Sequence, residues 1–410
     1  MNPGLAAVRS RSSAASEPLQ VLEPRQFLLE CLRAALNAVD ARACVRRQLE
    51  GESLTGDWNV VAIGKAAGAM AYGACDVLRE RLASAIVVTK SGHCPEPVAR
   101  DGRVRLLESA HPLPDERSLA AGQAVADFVS TLPRSAQLMF LVSGGASSLV
   151  EVLAPGVTLE TLQGLNSQAL GAGVGIGEIN ERRRALSRLK GGGLAVLAGN
   201  RRSLALMISD VPGDDPAVIG SGLLHAAGRE RADAIPAIPY RIVATVRDAC
   251  RAAGQCGAAR GLKVRIARGR FSGSAALLGR RFARAVERAD EDTLLVWGGE
   301  SAVRLPPHPG VGGRNQHLAL SAAIAFEDKP GVALLAAGTD GVDGVTDDAG
   351  GLVDGATCER GADAALDARA CLARADAGTF LEAAGDLVHT GPTLTNVGDV
   401  VLGLRARANA

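Results

Sequence analysis

The chain has 410 residues, 47% apolar and 22% charged, the profile of a folded, water-soluble protein of about two or three domains. Lys and Arg number 45 and Asp and Glu 44, a net charge of +1, which leaves no general field for binding nucleic acid. With 7 Phe, 2 Trp and 2 Tyr there is no base-stacking platform or membrane girdle, and no apolar run approaches the roughly 18 residues of a membrane span.

Residues 1–20 are Ser- and Ala-rich and lack the apolar stretch of a secretory signal, so the cytoplasm is the default location. Residues 23–48 read as one long helix with Phe27, Leu28, Cys31, Leu32, Ala35 and Leu36 on a single stripe. Trp58–Ile63, Ala85–Thr89, Val104–Glu108, Gln137–Val142 and Ser203–Ser209 are strand-like, and 66–82 and 118–132 have helical period. Apolar strands alternating with helices predict a doubly wound, Rossmann-like parallel sheet covered on both faces. Charges and prolines in 226–239 break the pattern and read as a linker. Strands near Arg241–Thr245, Leu262–Ala267, Thr293–Gly298, Val332–Ala337 and Val400–Leu404 follow, with helices near 246–258, 272–289, 315–326, 359–373 and 377–385. These predict a second, smaller α/β domain with a mixed sheet, and boundaries of 20–240 and 241–405. The eight cysteines form no CxxC pair and read as small buried hydrophobes.

In open α/β sheets the reactive groups collect beyond the carboxyl ends of the strands. The motifs here obey that rule. Lys65 follows the first strand, and it is one of 5 Lys against 40 Arg. Ser143-Gly144-Gly145-Ala146-Ser147 ends another strand in a loop whose N–H groups suit an anion, with no helix expected before 157. It is neither a P-loop nor a nucleophile elbow. Gly173–Gly177 has GxGxG spacing off a strand, which is a helix-entry turn and not a dinucleotide fingerprint. The helix that follows is basic at Arg183, Arg184 and Arg188 and stops at Lys190 before three glycines, and basic residues there also answer the helix dipole.

Asp210, Asp214 and Asp215 cluster past one strand, and Asp340, Asp343, Asp347 and Asp348 past another. Such oxygen clusters suit Mg²⁺, and Asp-Gly is also ordinary turn chemistry. Gly312-Gly313-Arg314-Asn315-Gln316 places an Arg at a helix start, a geometry that grips an anion with two parallel hydrogen bonds. His93 and His111, beside prolines, read as structural.

The ordered motifs VAIGKAAGAM, SGH, AHPLPDERS, VSGGAS, EIN with LSRLKGGGLA, ISDVPGDDPAVIGSG, WGGE, GGRNQHLAL, AAGTDGVDGVTDDAGGLVDG and LEAAGDLVHTGPTLTNVGDV resemble the class II D-glycerate 2-kinase family over about residues 20–405. Its members join an N-terminal α/β domain to a C-terminal MOFRL domain. The resemblance implies ATP-dependent phosphorylation of D-glycerate at its 2-hydroxyl, with Mg²⁺, in a cleft between the domains. It places Lys65 and Arg314 in the active site. With the strand-end rule it makes Asp210 a third catalytic candidate. Ser143, Gly144, Gly145, Ala146, Ser147, Asn180, Arg184 and Lys190 are then expected at substrate and phosphate. Gly299, Glu300, Gly338, Thr339 and Asp340 are expected at the nucleotide, and Asp210 and Asp340 at the metal.

Two departures stand out: Arg184-Ala185 replaces a Lys-His pair, and Gly220-Ser221-Gly222-Leu223-Leu224 replaces ASGPT. The competing readings are a hydroxypyruvate reductase using NAD(P)H, which should carry GxGxxG after a strand, and a non-enzymatic sugar-acid or nucleotide sensor. The expected partners are small molecules, with no nucleic acid or membrane. Monomer and homodimer stay open.

Overall fold

Six apolar runs form a parallel sheet: β1 (Trp58–Ile63), β2 (Leu82–Lys90), β3 (Val104–Ser109), β4 (Gln137–Val142), β5 (Ser203–Ser209) and β6 (Tyr240–Thr245). The computed structural model describes residues 23–171, 182–226 and 235–407. The strand order is β3-β2-β1-β4-β5-β6, the doubly wound order in which the sequence of strand addition reverses between β1 and β4. β1 and β4 are buried along nearly their whole length, as strands covered on both faces must be.

The strand expected to open the second domain, Tyr240–Thr245, is instead the edge of the first sheet, paired with β5. A short apolar run records that it is a strand but not which sheet it joins. The helix read over 23–48 is two helices, Pro24–Ala38 and Ala41–Glu50. Asp40 separates them, because its carboxylate accepts the N–H of Ala43 and starts a new helix. The predicted helix 359–373 divides in the same way at Asp367, which accepts the N–H of Ala370.

The second sheet is mixed. It contains β7 (Lys263–Ile266), β8 (Phe271–Ser274), β9 (Thr293–Ala302), β10 (Val332–Gly338), β11 (Gly350–Asp354), β12 (Leu387–Val388) and β13 (Asp399–Arg405). Its order is β12-β11-β10-β13-β9-β7, with β8 beside β9. β13 runs antiparallel to both β9 and β10, in a register that sets Asp399 between Gly299 and Gly338.

The two domains are stitched rather than merely adjacent. The opening helix Pro24–Ala38 buries Phe27, Leu28, Cys31, Leu32 and Ala35 against helix Val246–Ala259 and strands β10 and β13. Arg25 extends that contact to Asp354 and Asp386, both at 2.7 Å. All eight cysteines are unpaired, five of them buried. Among the described residues no helix is long and apolar enough to cross a membrane.

Candidate active site

The reversal between β1 and β4 places two loops side by side. Ile63 and Val142 are in register, so Gly64-Lys65 and Ser143-Gly144-Gly145 leave the sheet together. The loops are bonded to each other: the Lys65 N–H donates to the Gly144 carbonyl at 2.9 Å, and the Ser143 hydroxyl accepts the Ala66 N–H at 3.0 Å. Ser143 is thus a buried brace for the lysine loop. Asp210 leaves the next strand, β5. A Cβ on Gly144 would lie 2.0 Å from the Asp210 carboxylate and 2.6 Å from the Asn396 amide, so only glycine fits there. The predicted coil after this loop is wrong in one respect, because a short helix, Ala146–Leu149, follows at once.

The second domain approaches from the other side. Lys65 Nζ meets Asp340 Oδ2 at 2.8 Å, an ion pair across the cleft. Burial would raise the Asp340 carboxyl, but Lys65 beside it overrides that and holds it below its ordinary value. Asn396 donates to Asp210 Oδ2 at 3.1 Å, and Arg270 donates to the Asp210 carbonyl at 2.5 Å. Burial, and then the charge of Glu300, push the Asp210 carboxyl up to about 6 against the pull of Lys65.

Arg314 opens helix Arg314–Phe326, whose first N–H groups, from Asn315 and Gln316, donate to Asp343. Its Nε and Nη2 bond the two oxygens of the fully buried Asp399, at 2.7 and 2.9 Å, and its Nη1 bonds Glu300. Guanidinium carries five N–H donors, so two remain. Burial opposes its charge, yet Asp399 and Glu300 together hold its pKa above the ordinary value.

A cavity of about 290 Å³ lies between these groups. Gly144, Gly145, Ser147, Ser148, Asp210 and Glu300 line it, with His111, Arg183, Lys190 and Ser221. His111 is pushed down to about 3, first by burial and then by Lys65, and is neutral near pH 7. The Ser147 and Ser221 hydroxyls meet at 2.8 Å.

The fold thus brings Lys65, Gly144, Gly145, Ser147, Lys190, Asp210, Glu300, Asp340 and Arg314 to one cleft. Ala146 is buried beneath it, where its Cβ sits 3.2 Å from the place a Cβ on Gly220 would take. Asn180 lies outside the described residues, as do Gly173–Gly177. Arg184 is not in the cavity; its stem covers Gly191, and Arg183 lines the cavity instead. Lys190 does not end a helix: the chain leaves helical form before Ser187, which bridges to Leu153. The Thr339 hydroxyl is spent inside the protein, donating to Gly398 and accepting from Val397, so it is unavailable to a nucleotide. Gly299 and Gly338 serve the sheet, where they flank Asp399. The departure at 220–224 divides: Leu223 and Leu224 are buried in the first domain's core, and Gly220 and Ser221 line the cavity.

Asn396, Asp399 and Arg270 were not singled out from the sequence. Asn396 and Asp399 stand inside the quoted motif ending NVGDV, which was the available signal.

Asp340, expected at a divalent cation, is here paired with Lys65 at 2.8 Å. Among the described residues no group of three His, Cys, Asp or Glu is arranged around a metal. Mg²⁺ requires only one or two carboxylates, with phosphate and water supplying the rest. Asp210 and Glu300, two carboxylates lining one cavity with the charge of Glu300 raising the cost of ionising Asp210, fit that need.

Comparison with known proteins adds the following. Residues 27–253 match the family model described as Domain of unknown function (DUF4147), and residues 293–399 match the MOFRL family. The chain is 34% identical to the D-glycerate 2-kinase of Thermotoga maritima, covering 93% of this chain and 98% of the relative. It is 36% identical to an Agrobacterium vitis protein with a provisional hydroxypyruvate reductase name, covering 92% and 93%. The crystal structure of a glycerate kinase from Thermotoga maritima superposes with a TM-score of 0.82 at 33% identity, covering 93% of this chain and 99% of that one.

Proposed function

The chain belongs to the glycerate 2-kinase family, which joins the DUF4147 and MOFRL domains, and on that premise we propose that it transfers the terminal phosphoryl group of ATP to the 2-hydroxyl of D-glycerate. The products are 2-phospho-D-glycerate and ADP. The observation that carries the reading is the meeting of Lys65 from the first domain with Asp340 of the second at 2.8 Å, beside the Gly144-Gly145 backbone and Asp210.

Phosphoryl transfer asks a protein for positioning and charge neutralisation more than for covalent chemistry. The Lys65 ammonium and the N–H groups of Gly144 and Gly145 hold the moving phosphoryl group, with phosphate competing against Asp340 for the ammonium. Arg314, oriented by Asp399 and Glu300, adds a second cation from the opposite domain. Asp210 takes the proton of the 2-hydroxyl; a carboxyl near 6 is ionised at neutral pH yet still basic enough to accept it. Mg²⁺, when bound, neutralises phosphate charge, and Asp210 and Glu300 are the residues that would hold it. The cleft excludes water and so limits futile hydrolysis of ATP. The enzyme works in the cytoplasm on small molecules, without nucleic acid or membrane.

A nicotinamide reductase is disfavoured by the turn after β1, which reads Gly64-Lys65-Ala66-Ala67-Gly68 and puts an ammonium where a dinucleotide needs close backbone approach. The test is a coupled assay of D-glycerate, ATP and Mg²⁺, with phosphorus NMR of the product. ADP release with phosphate on C2, abolished by EDTA and restored by Mg²⁺ or Mn²⁺, supports the reading. Formation of 3-phosphoglycerate, or NADH oxidation by hydroxypyruvate as the sole activity, overturns it. Unchanged metal dependence in Asp210→Asn would leave that residue its proton role alone.

A further inference from the structure

Asp210, the proton acceptor of the proposed reaction, stands one residue past the end of β5. β5 pairs with β4 as far as Met207 and with β6 as far as Ser209, so Asp210 lies beyond both ladders. Among the described residues, the side chains that donate hydrogen bonds to Asp210 both come from the second domain.

The first holds its backbone. Arg270 Nη2 donates to the Asp210 carbonyl at 2.5 Å, and Nη1 donates to the Val211 carbonyl at 3.2 Å. One guanidinium thus spans two successive carbonyls, which a planar fork of N–H groups can do and a point charge cannot. The residue after it fixes where the fork starts. Phe271 opens β8, pairs with Gly299 of β9, and meets the ring of Phe282 edge-on at 5.4 Å. A Cβ on Gly299 would come within 2.2 Å of the Phe271 carbonyl, so these two backbones are in close contact.

The second holds its carboxylate. Asn396 Nδ2 donates to Asp210 Oδ2 at 3.1 Å, while its own Oδ1 accepts the Gly398 N–H at 3.3 Å and so fixes the amide's orientation. The Gly398 carbonyl accepts the N–H and the hydroxyl of Thr339, at 3.0 and 2.7 Å, which braces the turn against the end of β10. Gly398 has φ of 98°, and a Cβ there would lie 3.1 Å from Arg270 Nη2, so both holds meet at a residue that must be glycine. The next residue is Asp399, which aims Arg314. One braced turn of the second domain therefore sets Asp210 and Arg314 together.

Asp210 and Val211 line the cavity, whereas Arg270 and Asn396 stand behind them and are not part of its wall.

We infer that Arg270 is a positioning residue for catalysis: with Asn396 it fixes Asp210 from the opposite domain, so that the second domain completes the proton acceptor. The inference rests on the kinase reading, with Asp210 as its base, and deepens it. Arg270 spends its fork on carbonyls and acts through the place where Asp210 stands. A reacting group displaced by about 1 Å can lose about 100-fold in rate.

The experiment measures kcat, and KM for D-glycerate and for ATP, at saturating Mg²⁺. The variants are Arg270→Gln, Arg270→Lys, Asn396→Ala and Asp210→Asn, with each of the first three also combined with Asp210→Asn. Arg270→Gln should lower kcat at least about tenfold and keep both KM values within about twofold. Arg270→Lys keeps the charge but reaches one carbonyl at a time, and should recover only a small part of the loss. The deciding measurement is Arg270→Gln/Asp210→Asn. Once Asp210 is disabled its misplacement costs nothing more, so kcat should match that of Asp210→Asn alone within about twofold. A merely structural role lowers kcat by the same factor in both backgrounds, and that result overturns the inference. So does a wild-type kcat in Arg270→Gln, or a raised KM with kcat unchanged, which would make Arg270 a binding residue. If Arg270→Gln does not fold, Arg270→Lys and Asn396→Ala enter the same cycle, and additive losses there overturn the inference equally. If wild type fails to phosphorylate D-glycerate, the kinase reading falls instead, and if Asp210→Asn keeps full kcat, its role as base falls. Both results are distinct from an additive cycle.

Discussion

Arg314 joins stability to chemistry, and substitution there should affect both in separable amounts. Asp399 is fully buried, and both its oxygens depend on the Arg314 fork. Arg314→Ala leaves that carboxylate without a cation, a change worth about 3–5 kcal/mol when a buried pair is broken from one side. At about 2–4 °C per kcal/mol for a domain of 150–250 residues, the second domain should melt about 6–20 °C lower. Arg314→Lys keeps a positive charge but cannot span both oxygens and Glu300 at once. It should lose about 1.5–3 kcal/mol and recover little of the lost kcat. The deciding variant is Arg314→Met/Asp399→Asn, which removes both charges together. It should regain most of the stability and none of the activity. Urea unfolding followed by two probes, because two domains need not unfold as one, gives the first quantity, and kcat/KM gives the second. If Arg314→Ala unfolds with the wild type, Asp399 does not depend on it and the reasoning fails. If the double variant regains activity, Arg314 is structural alone and the two-domain clamp must be abandoned. If Arg314→Lys keeps its kcat and only raises KM, the fork is not required.

Three further outcomes follow from the site. Lys65→Met should lower kcat/KM by about 100-fold, equivalent to about 2.7 kcal/mol, with circular dichroism unchanged; a loss under tenfold would make Lys65 a solvated helix start. Gly144→Ala should cost about 1–3 kcal/mol of stability and most of the activity, since its methyl must displace Asp210 or Asn396. A variant with full kcat would show that neither group needs its present place. His111 has a folded pKa of about 3, below the unfolded value of 6.5, so its contribution to stability is present above pH 6.5 and is lost as pH falls towards 3. Between pH 6.5 and 5 this amounts to at most about 2 kcal/mol, less for its partial exposure, and His111→Gln should flatten the acid limb of a melting-temperature profile. An unaltered acid limb would place the pH dependence on other groups.

The central strands were legible because long apolar runs have few other uses. Gln137–Val142 and Ser203–Ser209 coincide with β4 and β5 to the residue, each with five consecutive apolar residues, as suits a strand covered on both faces. What stayed hidden depends on partners distant in sequence. Phe271–Ser274 and Gly350–Asp354 are short and rich in Gly or Ser, and become strands only because β9 and β10 offer them an edge. The split at Asp40 was readable in principle from its N-cap chemistry, which the continuous apolar stripe obscured.

The site divides along the same line, and the lysines show why. In a chain with 5 Lys and 40 Arg, a retained lysine suggests a place where a compact charge is needed. Lys65 and Lys190 bear that out: each reaches a single carboxylate from a tight Gly-rich turn, largely or wholly out of solvent. Lys263 and Lys329 form exposed pairs with Asp290 and Glu287, where an arginine would serve as well. Scarcity therefore pointed to two lysines with largely buried ion pairs but could not name their partners. Asp340 lies 275 residues from Lys65 and Glu151 lies 39 from Lys190, separations that only strand order and register convert into contact. Asp399 makes the same case without a lysine. The motif ending NVGDV contains it without assigning it a partner, yet as the first residue of β13, between β9 and β10, it faces Arg314, an arginine that the sequence had already singled out.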